Sequence, residues 1–159
     1  GAQVEALISD AKGTDSLDAV LNERPDVLNH NIETVARLQR MVRPSAGYAR
    51  SLSVLARSRA AGLTTKSGFM LGLGETRDEV EATLTDLASV GVNIVTIGQY
   101  LRPSAQHLPV VRYAEPSEFE HYKTFGERLG INHVESSPLT RSSYHAKDAH
   151  RNSSPLLHA

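Results

Sequence analysis

Lys66-Ser67-Gly68-Phe69-Met70-Leu71-Gly72-Leu73-Gly74-Glu75-Thr76-Arg77-Asp78-Glu79 passes from an extended run, through a glycine turn, into a helix start. Residues 66–71 read as a buried strand. Thr76 and Glu79 have the spacing of a capping box, in which the hydroxyl accepts the amide three residues on and the carboxylate reaches back to the threonine's own amide. Val80, Leu84 and Leu87 then recur at helical spacing, and Gly91 stops the helix. Strand, turn and helix in this order form the first part of a unit whose next strand lies parallel to the first.

The unit repeats on both sides. Upstream, residues 4–8 read as a strand. A helix follows from Asp15, with Thr14 as N-cap and Leu17, Val20 and Leu21 on one face, and Pro25 ends it. Residues 26–30 are a second strand. Two helical stretches come next, one lined by Val35, Leu38 and Val42 and closed by Pro44, the other carrying Leu52 and Leu55 and ended by Gly62. Downstream, residues 92–97 are a fourth strand and residues 98–116 a long loop. Ser117 and Glu120 suggest a second capping box opening a helix to Leu129, and residues 131–135 a fifth, edge strand. From Ser136 the chain reads mostly as loop. Residues 1–146 are expected to form one α/β domain, and 147–159 a disordered polar tail. An open doubly wound sheet and an arc of a barrel both satisfy this periodicity.

With 159 residues and 40% hydrophobic content, the chain is long enough for one core. No run of about 18 apolar residues is present, so no membrane span is expected. The start, Gly1-Ala2-Gln3-Val4, lacks the basic-then-apolar pattern of a signal peptide, and a cytoplasmic location is expected. The net charge of -1 is spread without a basic stripe, which argues against nucleic acid as a partner. There is no cysteine, hence no disulfide and no thiolate metal site in this chain. The histidines show no metal-binding spacing, although His30 and His107 lie in segments expected to face a site.

In parallel α/β folds the loops after the strands share one face, and ligand sites are built there. Asp10 and Lys12 follow the first strand, Asn29 to Thr34 the second, Gly72 to Glu75 the third, and Gly98 to Ser104 the fourth. Any one of these has a structural explanation: Asn31, Glu33 or Thr34 suits a helix cap, and paired glycines turn a strand into a helix. Four such segments at one mouth favour a ligand site.

Residues 68–75 fit the G-x-I-x-G-x-x-E pattern of the radical S-adenosylmethionine superfamily, with Met70 at the isoleucine position. Further strings resemble the lipoyl synthase family. They are residues 24–34 around Asn29-His30-Asn31-Ile32-Glu33-Thr34, Thr65-Lys66-Ser67-Gly68 leading into the glycine segment, residues 96–104 with His107-Leu108-Pro109-Val110, and Arg141-Ser142-Ser143-Tyr144-His145 near the C-terminus. The resemblance runs unbroken from Val4 to Ala146. Small departures are Ser9 and Ala11 around Asp10, where the family tends to have Pro and Phe, and Ala36 at a usual proline.

That resemblance implies a partial (βα)6 barrel of which this chain supplies the third to sixth strands and a C-terminal extension. It implies S-adenosylmethionine and two [4Fe–4S] clusters as cofactors. The reaction implied is sulfur insertion at C6 and C8 of an octanoyl-lysine on a carrier protein, either a lipoyl domain or the glycine cleavage H protein. It places Asn29, Asn31, Glu33, Met70, Gly72, Gly74, Glu75, Gln99, Tyr100 and Leu101 around S-adenosylmethionine or the substrate chain. Ser143, with Ser142 second, is implied as a ligand of the auxiliary cluster, and hard oxygen suits an iron that must leave. Without cysteines, the chain alone is expected to be inactive and to need an N-terminal half. A non-catalytic binding module and a cofactor-independent α/β-barrel enzyme are the alternatives. For an aldolase, Lys66 at a strand start is poorly placed as a Schiff-base residue.

Overall fold

The computed structural model describes residues 1–11 and 15–142. Lys12, Thr14, Ser143, Tyr144, His145 and the expected tail 147–159 lie outside these residues. Strand β1 (Glu5–Leu7) is followed by helix α1 (Ser16–Asn22), β2 (Val27–Asn29), a 3-10 turn (Ala36–Leu38) running into α2 (Gln39–Val42), and α3 (Tyr48–Ala60). Then come β3 (Thr64–Leu71), α4 (Arg77–Ser89), β4 (Ile94–Gln99), α5 (Pro116–Arg128) and β5 (His133–Ser136).

All neighbouring pairs are parallel, and the strand order is β1-β2-β3-β4-β5. The order never reverses. Right-handed crossovers that always step the same way put every helix on the same face. A doubly wound sheet requires a reversal, so the arc of a barrel is the architecture found. β3 is the spine, paired with β4 from Lys66↔Ile94 to Leu71↔Gln99.

Alternation along the strands divides the two faces. Toward the helices, Phe69, Leu71, Val95, Ile97 and Val134 pack with Leu55, Val80, Leu84, Leu87, Phe119 and Tyr122 in one core. Leu17, Leu28, Val54 and Leu63 form a smaller cluster under α1 and α3. The opposite, concave face is polar. There Lys66, with its side chain 1% exposed, places its Nζ 3.1 and 3.3 Å from the carboxylate oxygens of Glu5. Asn29 donates to the same Glu5 carboxylate at 2.8 Å.

The Thr76–Glu79 capping box forms as read from the sequence. The start of α5 does not. Glu115, not Ser117, is its N-cap, Pro116 occupies the first turn, and the Glu118 carboxylate accepts the Glu115 amide at 2.8 Å. Proline is preset for the first helical residue, and this outweighs the Ser117–Glu120 spacing two residues later. The N-cap of α1 is Asp15, and the expected helix over residues 35–42 is a 3-10 turn followed by one α-helical turn.

Candidate functional site

A cavity of about 440 Å³ opens at the C-terminal ends of β2, β3 and β4. Asn31 and Glu33 line it from the segment after β2. Gly68 and Met70 come from β3, Thr96, Gly98 and Gln99 from β4, Leu101 to Pro103 from the following loop, and residues 140–142 close it.

Two glycines make the cavity possible. A Cβ on Gly68 would overlap Thr96 Oγ1 and stand 3.1 Å from Asn31 Oδ1. A Cβ on Gly98 would overlap the Thr140 carbonyl oxygen, so that glycine lets the C-terminal segment lie directly on β4. Asn31 Oδ1 is buried and has no hydrogen-bond partner, an acceptor left available beside Gly68.

Glu33 stands in the left-handed region, at φ 68°, which a glutamate rarely adopts. It is held by an isolated bridge to Phe69: its amide donates to the Gly68 carbonyl at 3.0 Å, and its carbonyl accepts from the Met70 amide at 3.0 Å. Burial pushes its carboxyl above the ordinary value, with the Arg43 guanidinium pulling the other way.

Asn31 and Glu33 also line a second cavity, of about 710 Å³, whose wall includes Ser9, Asp10, His30, Arg43 and Ser45. Here His30 Nε2 lies 2.8 Å from Ser51 Oγ and Nδ1 lies 3.0 Å from the Ile8 carbonyl oxygen. Burial holds the imidazole below its ordinary 6.5, against the Ile8 hydrogen bond and the Asp10 charge. The unfolded chain therefore takes up the proton first. This contribution to stability is present above pH 6.5 and is lost as pH falls through the lower folded-state value. Denaturant titrations from pH 7 downward are expected to show stability falling on the acid side of 6.5, with a shallower slope in His30→Asn.

The remaining residues singled out in the sequence fall into two groups. Asn31, Glu33, Met70, Gln99 and Leu101 come together around the first cavity, with Ser142 at its edge. Asn29 lies lower on the concave face, bonded to Glu5. Glu75 turns back on its own glycine turn, accepting the Gly72 and Leu73 amides at 2.7 and 3.0 Å. Gly72 and Gly74, both with positive φ, shape that turn without lining the cavity. Gln99 spends its side chain on the following loop, accepting the Ala114 amide and donating to the Tyr100 and Arg112 carbonyls. The Tyr100 hydroxyl donates to the Leu108 carbonyl at 2.7 Å. His107 is exposed, beside Ser104 Oγ at 2.7 Å, and lines neither cavity.

Thr96 and Thr140 line the site without having been singled out. Thr96 was legible, because it is paired with Gly68 and alternates with Gly98 toward the concave face. Thr140 was not, since only tertiary folding brings it to β4. Among the described residues no grouping of three or more His, Cys, Asp or Glu is arranged to hold a metal ion. No described helix is long and apolar enough to cross a membrane.

The Radical SAM superfamily model matches residues 5–87, which include the Asn31–Glu33 segment and the glycine turn. A curated lipoyl synthase from Rubrobacter xylanophilus is 54% identical over 151 residues, covering 93% of this chain and 47% of the relative. The lipoyl synthase of Pelodictyon phaeoclathratiforme is 55% identical over 146 residues, covering 91% and 50%. The chain thus spans about half the length of the curated relatives it matches. Among solved structures, the archaeal Methanocaldococcus infernus Elp3 superimposes with a TM-score of 0.68 at 10% identity, over 87% of this chain and 35% of that one. A domain of the pyruvate-formate lyase-activating enzyme from Bacteroides vulgatus gives 0.61 at 10% identity, over 82% and 80%, a likeness of fold alone. The chain belongs to the radical SAM superfamily, within which it is similar to one half of the lipoyl synthases.

Proposed function

We propose that this chain is the C-terminal half of a lipoyl synthase and supplies the nucleoside-facing wall of its active site. The whole enzyme would insert two sulfur atoms at C6 and C8 of an octanoyl-lysine borne by a lipoyl domain or the glycine cleavage H protein, in the cytoplasm. The observation that carries the reading is the cavity between Gly68 and Gly98, where an unpartnered buried amide oxygen and the Glu33 carboxylate stand beside a glycine-thinned wall. Its volume lies within the roughly 300–1,000 Å³ of small-molecule pockets.

S-adenosylmethionine fits this donor set and, when bound, supplies the hydrogen-abstracting group of the reaction. Gly68 and Met70 would let the nucleoside approach β3. Asn31 would accept a ribose hydroxyl, and Glu33 would accept from a hydroxyl or ammonium group. Ser142, at the edge of the cavity, would bring a hard oxygen there; Ser143, the first choice from the resemblance, lies outside the described residues.

The two [4Fe–4S] clusters do not fit this chain. It has no cysteine, and among the described residues no three or more His, Asp or Glu gather to hold a metal ion. The cysteines of both clusters would come from an N-terminal half, with at most a serine oxygen from this chain, and no step through the clusters is assigned to these residues. The aldolase alternative is disfavoured by Lys66, whose ammonium is held by Glu5 away from the cavity.

Calorimetry with S-adenosylmethionine tests the reading. Saturable binding is expected, weakened about tenfold by Asn31→Ala, the loss of one good hydrogen bond at about 1.4 kcal/mol. Absence of heat at millimolar ligand would count against it. Anaerobic iron–sulfide reconstitution of the chain alone should leave no stable cluster absorbance.

A further inference from the structure

We propose that Gln39 and Arg43 are positioning residues for Glu33: together they clamp the backbone carbonyls of the 31–34 segment and so hold Glu33 in its left-handed conformation, facing the cavity. The proposal rests on Glu33 being a ligand residue, but its geometry does not. All four carbonyls of the segment are tied. Arg43 Nη1 donates to Asn31 O at 3.1 Å. Gln39 Nε2 donates to Ile32 O at 2.8 Å and to Thr34 O at 2.7 Å. The Met70 amide takes the fourth, Glu33 O.

The clamp is itself braced. Arg43 donates through Nε and Nη2 to Gln39 Oε1 at 3.0 and 2.8 Å, so one residue orients the other. Its Nη2 also reaches Ser51 Oγ on α3 at 2.9 Å. Gln39 is buried, at 4% exposure, and an amide there has no reason to exist without partners. Gln39 opens α2 and Arg43 caps its end, its amide donating to the Gln39 carbonyl at 2.7 Å, so the single turn brings the two side chains together. This gives the short helix a purpose: it is a bracket for the segment beside it.

A left-handed glutamate persists only where its surroundings over-determine it. Glycine adopts that conformation without penalty, so Glu33→Gly should make the clamp dispensable. Residue-resolved amide exchange on the full chain reads this directly. In Gln39→Leu, the Glu33 and Met70 amides are expected to exchange at least about tenfold faster relative to those of β4, because only their segment loosens. In Glu33→Gly/Gln39→Leu the acceleration should disappear. The double variant also serves if the single one folds poorly. Uniform acceleration across the sheet, or no rescue by glycine, overturns the proposal. The ligand reading has a separate readout, the dissociation constant of S-adenosylmethionine in Glu33→Gln. An unchanged constant there removes Glu33 from the ligand set while a localised exchange effect leaves the clamp standing.

Discussion

Glu5→Ala is expected to destabilise the chain by about 3 kcal/mol, read from urea unfolding, because it strands a buried ammonium. Lys66 Nζ has the Glu5 carboxylate as its counter-charge, and Asn29 donates to that carboxylate too. One truncation thus leaves a cation and an amide unpaired on the concave face, where Asn29 Oδ1 already lacks a partner. The reciprocal change should cost less. In Lys66→Met the long stem is replaced in kind, and the Glu5 side chain, 24% exposed, retains access to water. The asymmetry between the two variants is the diagnostic result. Equal losses would mean that the pair is held by packing alone.

Gly98→Ala should act at the other end of the site. Its methyl group would overlap the Thr140 carbonyl oxygen, and that contact is backbone on both sides, so no side chain can swing away. Either β4 bends or the 140–142 segment lifts, at a cost of about 1–3 kcal/mol. Lifting is the cheaper response, since Thr140 is tied locally, its amide bonded to the Ser137 carbonyl, whereas β4 is paired on both sides. Limited trypsin digestion should then cleave after Arg141 about tenfold faster for each 1.4 kcal/mol of lifting. An unchanged rate with reduced global stability would place the strain in the strand instead.

Much of the architecture could be read from the residues because the local signals agree with the tertiary fold. Gly62, Gly91 and Gly130 stop helices as C-terminal glycines with positive φ, and the turn after β3 carries glycine where positive φ is required. The strand count follows from those stops. What periodicity left open was the curvature of the sheet, since barrel and doubly wound strands share one pattern, and strand order is a long-range property. The site was half legible. Asn31 and Glu33 stand at a strand end, where polar residues announce themselves. Glu75 and Gln99 sit in equally suggestive places and turn their side chains to backbone amides and carbonyls instead. Nothing in sequence spacing distinguishes a carboxylate that holds its own turn from one that lines a cavity. Gln39 and Arg43 were invisible for the opposite reason: on a short helix they look like ordinary surface polar residues, and only the left-handed Glu33 gives them work.

The position of β1 at the end of the strand order has an organisational consequence. Val4 and Ile8 spend their backbone groups on β2, so by the period of two Glu5 and Leu7 turn theirs away from it. That row is a seam. A separately made polypeptide could dock there strand to strand without breaking a bond already present, and the Glu5–Lys66 pair would lie just inside the join. Splitting the protein at this line into two co-expressed polypeptides would leave the cavity between Gly68 and Gly98 intact on one of them.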